Sequence, residues 1–189
     1  MNINLSWDLF IVVFIGIVTA YSFIIGRDQT LKVVAGTYVA ILCSDAMGNL
    51  FDKYLASSET FLKLLKIFSI GDSDQATAFF KVIVLILLIV LIAVRGRFQF
   101  YTDENNAMTT KVFEVLALGV LTGALMISAM LIYISGNSLV SDSITNFGIA
   151  TEIYEQSKLV RLMIDGSNFW FMLPGLGIIA VGLFSKKTA

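Results

Sequence analysis

The sequence predicts an all-α fold: a polytopic helical membrane protein with four or five transmembrane helices and two interfacial amphipathic helices. Three observations carry that expectation. Of the 189 residues, 57% are apolar and only 14% are charged, and the mean hydropathy is positive, which is outside the range of ordinary soluble domains. The apolar residues gather into uncharged runs, Leu9 to Gly26, Val82 to Val94, Val115 to Ser141 and Gly166 to Ser185, and several reach the roughly 20 residues that span a bilayer. No linker is long enough to separate a second domain, so residues 1–189 are expected to form a single integral membrane domain.

The first element is "DLFIVVFIGIVTAYSFIIGR", with eighteen uncharged residues between Asp8 and Arg27, rich in the branched and aromatic side chains that suit lipid contact. It follows Asp8 without a positively charged stretch or a small-residue cleavage pattern, so a retained helix is expected rather than a secretory signal. The second segment, "LKVVAGTYVAILCSDAMGNLF", has only twelve uncharged residues between Lys32 and Asp45. That length leaves a full crossing and a re-entrant segment in competition over residues 31–51, and a crossing has to take Asp45 inside.

From Leu50 to Ile70, Phe51, Tyr54, Leu55, Leu62, Leu65 and Phe68 fall near one helical stripe opposite Lys53, Glu59, Lys63 and Lys66, the pattern of a helix lying on a membrane surface. After the "GDSDQ" break comes the most apolar segment, "ATAFFKVIVLILLIVLIAVRGRF", with Lys81 near its start and Arg95 and Arg97 at its end. A polar connection, "YTDENNAMTT", leads to "KVFEVLALGVLTGALMISAMLIYISGN". Here Gly119 and Gly123 stand at GxxxG spacing and Ala124 and Ser128 form a second small-to-small pair, which predicts a helix that packs against protein.

The segment from Ser138 to Asp165 sets Ile149, Ile153, Leu159, Val160 and Met163 against Glu152, Glu155, Lys158 and Arg161, a second amphipathic surface helix. The last run carries Phe169, Trp170 and Phe171 at one end and Lys186 and Lys187 at the other, and its Pro174, with Gly175 and Gly177, is expected to bend it. With five crossings, Arg27, Lys32, Arg95, Arg97, Lys111, Lys186 and Lys187 fall on one side, which makes that side the cytoplasm and places the N-terminus outside.

Several chemistries are excluded outright. The chain has no histidine, so triads, metal sites and proton shuttles that use imidazole are absent. One cysteine, Cys43, permits no internal disulfide and is read as a small buried apolar residue. Neither a Walker-type phosphate loop nor a dinucleotide fingerprint occurs, and 13 basic against 14 acidic residues leave no nucleic-acid footprint. No cofactor and no metal is expected. The expected partners are the lipid bilayer together with further copies of the chain or other membrane subunits.

In order, "WDLFIVVFIGIVTAYSFIIGRDQTLKVVAGTYVAILCSDAMGNLF", a very apolar helix and "ALGVLTGALMISAMLIYI" resemble the colicin V production protein family of bacterial inner-membrane proteins over about two thirds of the chain. The matching features are Asp8, Gly26 with Arg27, Gly36, and Gly119 with Gly123; Asp28 stands where the family has glycine, and in place of the arginine expected shortly before the paired glycines the nearest basic residue is Lys111. The resemblance implies a multi-pass inner-membrane protein linked to secretion, envelope homeostasis or biofilm formation, and it brings no catalytic residues.

Asp45 is the residue that demands an explanation. A charge at bilayer depth costs roughly 2.5–3.5 kcal/mol on insertion scales and is normally paired, protonated or facing water. Lys81 is the candidate partner, in an ion pair or as part of a polar vestibule; the competing reading makes Asp45 the cap of a helix beginning at Ala46. Glu114 reads as a first-turn carboxylate offsetting a helix dipole rather than an ion ligand. The glycine pairs read as packing contacts, and the Pro174 region as a kink before a broken transport helix. The leading functional class is a non-enzymatic membrane scaffold or assembly subunit. The alternative is a small channel or transporter with Asp45 and Lys81 on its pathway, and a membrane-embedded enzyme has the least to work with.

Overall fold

A computed structural model describes residues 7–56, 73–96, 108–135, 153–155 and 157–184, and among these all regular structure is helical. The elements are α1 (Trp7–Ile25), α2 (Arg27–Phe51), α3 (Ser73–Arg95), α4 (Met108–Ile134), α5 (Lys158–Asp165) and α6 (Ser167–Phe184). Four of them, α1 to α4, are long and apolar enough to cross a membrane, and α5 with α6 make a fifth if their bent pair counts as one span.

Residues 31–51 contain no break and are long and apolar enough to cross a membrane. They belong to the unbroken 25-residue helix α2, about 37 Å long at 1.5 Å per residue. Of the amphipathic segment expected from Leu50 to Ile70, residues 50–56 continue α2 through a π-helical turn, Asp52–Ala56, and the rest lies outside the described residues, as do Lys186 and Lys187. The second amphipathic stretch is described from Ile153, and its regular part is α5, which buries Val160 and Met163 and exposes Arg161 and Leu162.

One residue, Gly26, separates α1 from α2. Its φ of 78° lies in the left-handed region that glycine enters without a Cβ clash, so the chain reverses there without a loop. Thr30 ties the corner together, its hydroxyl donating to the Ser22 carbonyl at 3.2 Å and the Gly26 carbonyl at 2.8 Å.

The bundle is built around α4. In its most apolar window 72% of the residues are buried, against 11% for α1 and for α3. The small residues of α4 explain how the neighbours come close. A methyl group at Gly123 would stand 3.1 Å from the Ile15 Cα, and one at Gly119 would stand 3.0 Å from the Ser22 Cβ and 3.1 Å from the Thr19 Cα. Thus α1 and α4 touch nearly backbone to backbone, antiparallel, with Ile11 reaching Ile127 toward the other end. Helix α2 lies on α3 in the same way, Gly36 receiving Ile92.

The surface is the reverse of a soluble domain's. Ile24 is 83% exposed, Val94 75% and Phe113 70%, and α1 and α3 turn further aliphatic side chains outward along their length. A contiguous apolar surface of this kind marks a membrane or protein contact. Cys43 corrects the sequence reading: it is exposed, one position from the buried Ser44, because Gly36, Ala40, Ser44 and Gly48 form the inward stripe of α2 and Cys43 falls beside it. Pro174 lies inside the continuous helix α6, and the sharp bend in this region, 66°, falls at Gly166 between α5 and α6.

Candidate functional site: a buried polar cluster between three helices

Asp45 lies six residues before the end of α2, and Lys81 eight residues into α3. Because the helices run antiparallel, rises of about 9 and 12 Å bring both residues to the same depth. The Lys81 Nζ donates to Asp45 Oδ1 at 2.7 Å and to Asn49 Oδ1 at 3.0 Å. Asp45 has no exposed surface and Lys81 is 5% exposed. Asp45 therefore does not cap a following helix, since α2 continues unbroken past it to Phe51.

Asp45, Gly48 and Asn49 are spaced i, i+3 and i+4, which puts them on one face of α2. Gly48 makes room for the lysine: a methyl group there would meet the Lys81 stem at 2.3 Å. The third wall is α4, where the Tyr133 ring lies 5.6 Å below the Lys81 ammonium. The Tyr133 hydroxyl donates to the Ile41 carbonyl at 2.8 Å and meets the Ser44 hydroxyl at 3.0 Å. Lys81 of α3 thus bridges Asp45 and the exposed Asn49 of α2, and the Tyr133 ring of α4 lies against its ammonium while the phenol hydroxyl is held by Ile41 and Ser44.

At the Gly26 end a second ion pair joins α2 to α4. Arg27 Nε and Glu114 Oε2 lie 2.7 Å apart, but not in hydrogen-bonding alignment, so the contact is Coulombic. Glu114 is accordingly not a first-turn dipole carboxylate, because α4 begins at Met108 and Glu114 sits nearly two turns in. Lys32 is also buried; its Nζ reaches Gln29 Oε1 at 3.3 Å and, at 3.4 Å, the Ala93 carbonyl in the last turn of α3, where a cation offsets the helix dipole.

Asp8 performs two tasks at the Trp7 end. It stands in the first turn of α1, and its Oδ1 accepts from the Ser157 hydroxyl and from the Leu159 backbone N–H at 3.1 Å, so one carboxylate serves the N-termini of α1 and α5. Ser157 in turn accepts from the Val160 N–H at 3.0 Å. Ser128, the second residue of the small pair beside Ala124, donates to the Met163 carbonyl at 3.0 Å and fastens α5 to α4.

Around Pro174, Tyr38 of α2 donates its hydroxyl to the Phe171 carbonyl and faces Gly175, whose Cβ position would lie 3.3 Å from that oxygen. The phenol thereby serves a turn of α6 next to the proline. Gly177 faces Leu118 of α4. Among the described residues, no group of three or more Cys, Asp or Glu side chains is placed to hold a metal ion.

The structure brings Asp45 and Lys81 together, Gly119 and Gly123 against α1, and Gly175 against Tyr38. Sequence reasoning missed Gly48, Asn49, Ser44 and Tyr133, as well as the Arg27–Glu114 pair. The spacing of Asp45, Gly48 and Asn49 was a usable signal for the first two; nothing in the order of residues points to Tyr133. Comparisons of this chain with family models, with curated proteins and with solved structures return no match.

Proposed function

We propose that this chain is an integral membrane protein with a non-enzymatic role, a scaffold or assembly subunit that joins other copies of itself or other membrane subunits. Its exposed α1 and α3 faces lie in lipid or against such partners. The observation that carries the reading is the division of labour within the bundle: apolar side chains point outward over the full length of the outer helices, while the buried charges are matched inside. Water favours the opposite arrangement, and hydrocarbon favours this one. The resemblance to the colicin V production proteins points the same way, to a bacterial inner membrane and to secretion or envelope processes.

A pathway role for Asp45 and Lys81 has less support, because the two already pair with each other while almost wholly buried. The test has two arms. Expressed protein should remain with the membrane fraction until detergent is added, and recovery as a monomer in detergent-free buffer overturns the membrane reading. Native mass spectrometry from lipid nanodiscs should then show a defined oligomer or a co-purifying subunit, whereas Asp45-dependent ion flux through a strictly monomeric protein in liposomes replaces the scaffold reading with a channel.

A further inference from the structure

The elbow between α5 and α6 holds an open groove of about 550 Å³, walled by Lys158, Arg161, Leu162 and Asp165 from α5 and by Phe169 and Trp170 from α6. On α5 these positions are i, i+3, i+4 and i+7, one face of the helix, and the opposite face is pinned by buried Val160 and Met163. The cationic face is therefore fixed outward, held by Asp8 at one end and by Ser128 along its length. The 66° bend at Gly166 swings α6 into the second wall, where the Trp170 Nε1 donates to the Leu162 carbonyl at 3.3 Å.

The groove is charge-biased. Asp165 is engaged by the Tyr154 hydroxyl, 2.9 Å from both carboxylate oxygens, and this carboxylate raises the Tyr154 phenol above its ordinary range so that it stays a donor. Arg161 rests over the same tyrosine ring, 5.1 Å from its centroid. Two exposed cations, Lys158 and Arg161, thus stand among two carboxylates that each already have partners, Asp165 with Tyr154 and Asp8, which lies near Lys158, with Ser157 and the Leu159 N–H, which leaves the cations able to take an anion.

An apolar track leads away from the cations. Phe169, Met172, Leu176 and Ile179 lie on one face of α6, are 51%, 53%, 49% and 57% exposed, and cover about 15 Å along the helix. A phosphate with a hydrocarbon chain matches cations followed by such a stripe; a free phosphate leaves the stripe unused, and an acidic peptide has no reason to follow it.

We propose that the α5–α6 elbow binds one anionic phospholipid, its phosphate at Lys158 and Arg161 and an acyl chain along Phe169, Met172, Leu176 and Ile179. The inference rests on the membrane reading given above, since it requires that α6 lie in lipid.

The chain has two tryptophans, so Trp7→Phe leaves Trp170 as a reporter in the groove wall. This variant is reconstituted into phosphatidylcholine vesicles containing a minor fraction of phosphatidylglycerol, with bromine on the acyl chains of one lipid or of the other at equal mole fraction. Brominated phosphatidylglycerol should quench Trp170 several-fold more strongly, and Lys158→Gln with Arg161→Gln should erase that preference; added inorganic phosphate should leave it unchanged. Equal quenching by both lipids overturns the lipid site while leaving the membrane reading intact. Loss of the preference with inorganic phosphate shows a plain anion site and also overturns it. Absence of quenching by either lipid overturns both readings. Native mass spectrometry of the chain with Trp7 retained gives an independent measure: phosphatidylglycerol should stay bound, the Lys158→Gln/Arg161→Gln variant should lose it, and equal retention by the two proteins counts against the site.

Discussion

Two ion pairs anchor α2 at its opposite ends, and they differ in kind. Asp45–Lys81 is buried, with side-chain exposures of 0% and 7%, is hydrogen-bonded, and is joined by Asn49 and by the Tyr133 ring. Arg27–Glu114 is nearer the surface, with exposures of 12% and 25%, and its 2.7 Å contact is not aligned as a hydrogen bond. Equal N···O distances therefore do not mean equal worth. In the first pair, removing one partner leaves its counter-charge buried without the opposite charge; in the second, Nε and Oε2 are themselves buried but both side chains reach the surface, so solvent compensates part of the loss.

The contrast is sharpest for Lys81→Met, which should destabilise the bundle by about 3–5 kcal/mol by taking the ammonium away from the buried Asp45 carboxylate. Reversible unfolding in mixed micelles measures this, and the double variant Asp45→Leu/Lys81→Met should recover most of the loss. A single-variant cost no larger than that of Arg27→Gln would erase the distinction between the two pairs.

Packing supplies the next scale. Gly123→Leu drives a side chain into the backbone of α1 at Ile15, which has no free end to move, so a loss near the top of the usual overpacking range, about 3 kcal/mol, is expected in the same titration. Gly48→Ala meets the Lys81 stem, which Asp45 and Asn49 hold in place, and should cost about 2 kcal/mol. In a Lys81→Ala background that cost should vanish, and a cycle with no coupling would mean that Gly48 is not there to admit the lysine.

The smallest effect belongs to the outer pair. Arg27→Gln should cost no more than about 1 kcal/mol, and the cost should shrink as ionic strength rises. A cost that holds constant from low to high salt would place Arg27–Glu114 in the same category as the buried pair.

Much of the architecture was legible in the sequence, and the gaps are instructive. The run from Leu9 to Gly26 and the GxxxG pair needed only length and spacing. The second segment was ambiguous because Asp45 cuts its uncharged run to twelve residues, and the charge stops counting against a long helix only once Lys81 lies beside it. Glu114 reads as a first-turn residue from the apolar run alone, but α4 starts at Met108, ahead of that run. The apolar neighbours of Cys43 suggest burial, whereas the inward stripe of α2 is made of its small residues and passes the cysteine by.

By itself, the order of residues determined that this chain is helical and apolar along stretches of bilayer length, because backbone groups in such runs can be satisfied within a helix and hydropathy is a local property. Which helices touch was decided only in three dimensions. The meeting of Asp45 with Lys81 and Tyr133, the contact of Arg27 with Glu114, and the service of Asp8 to a helix 150 residues away depend on long-range antiparallel packing, which residue spacing within a single helix does not encode.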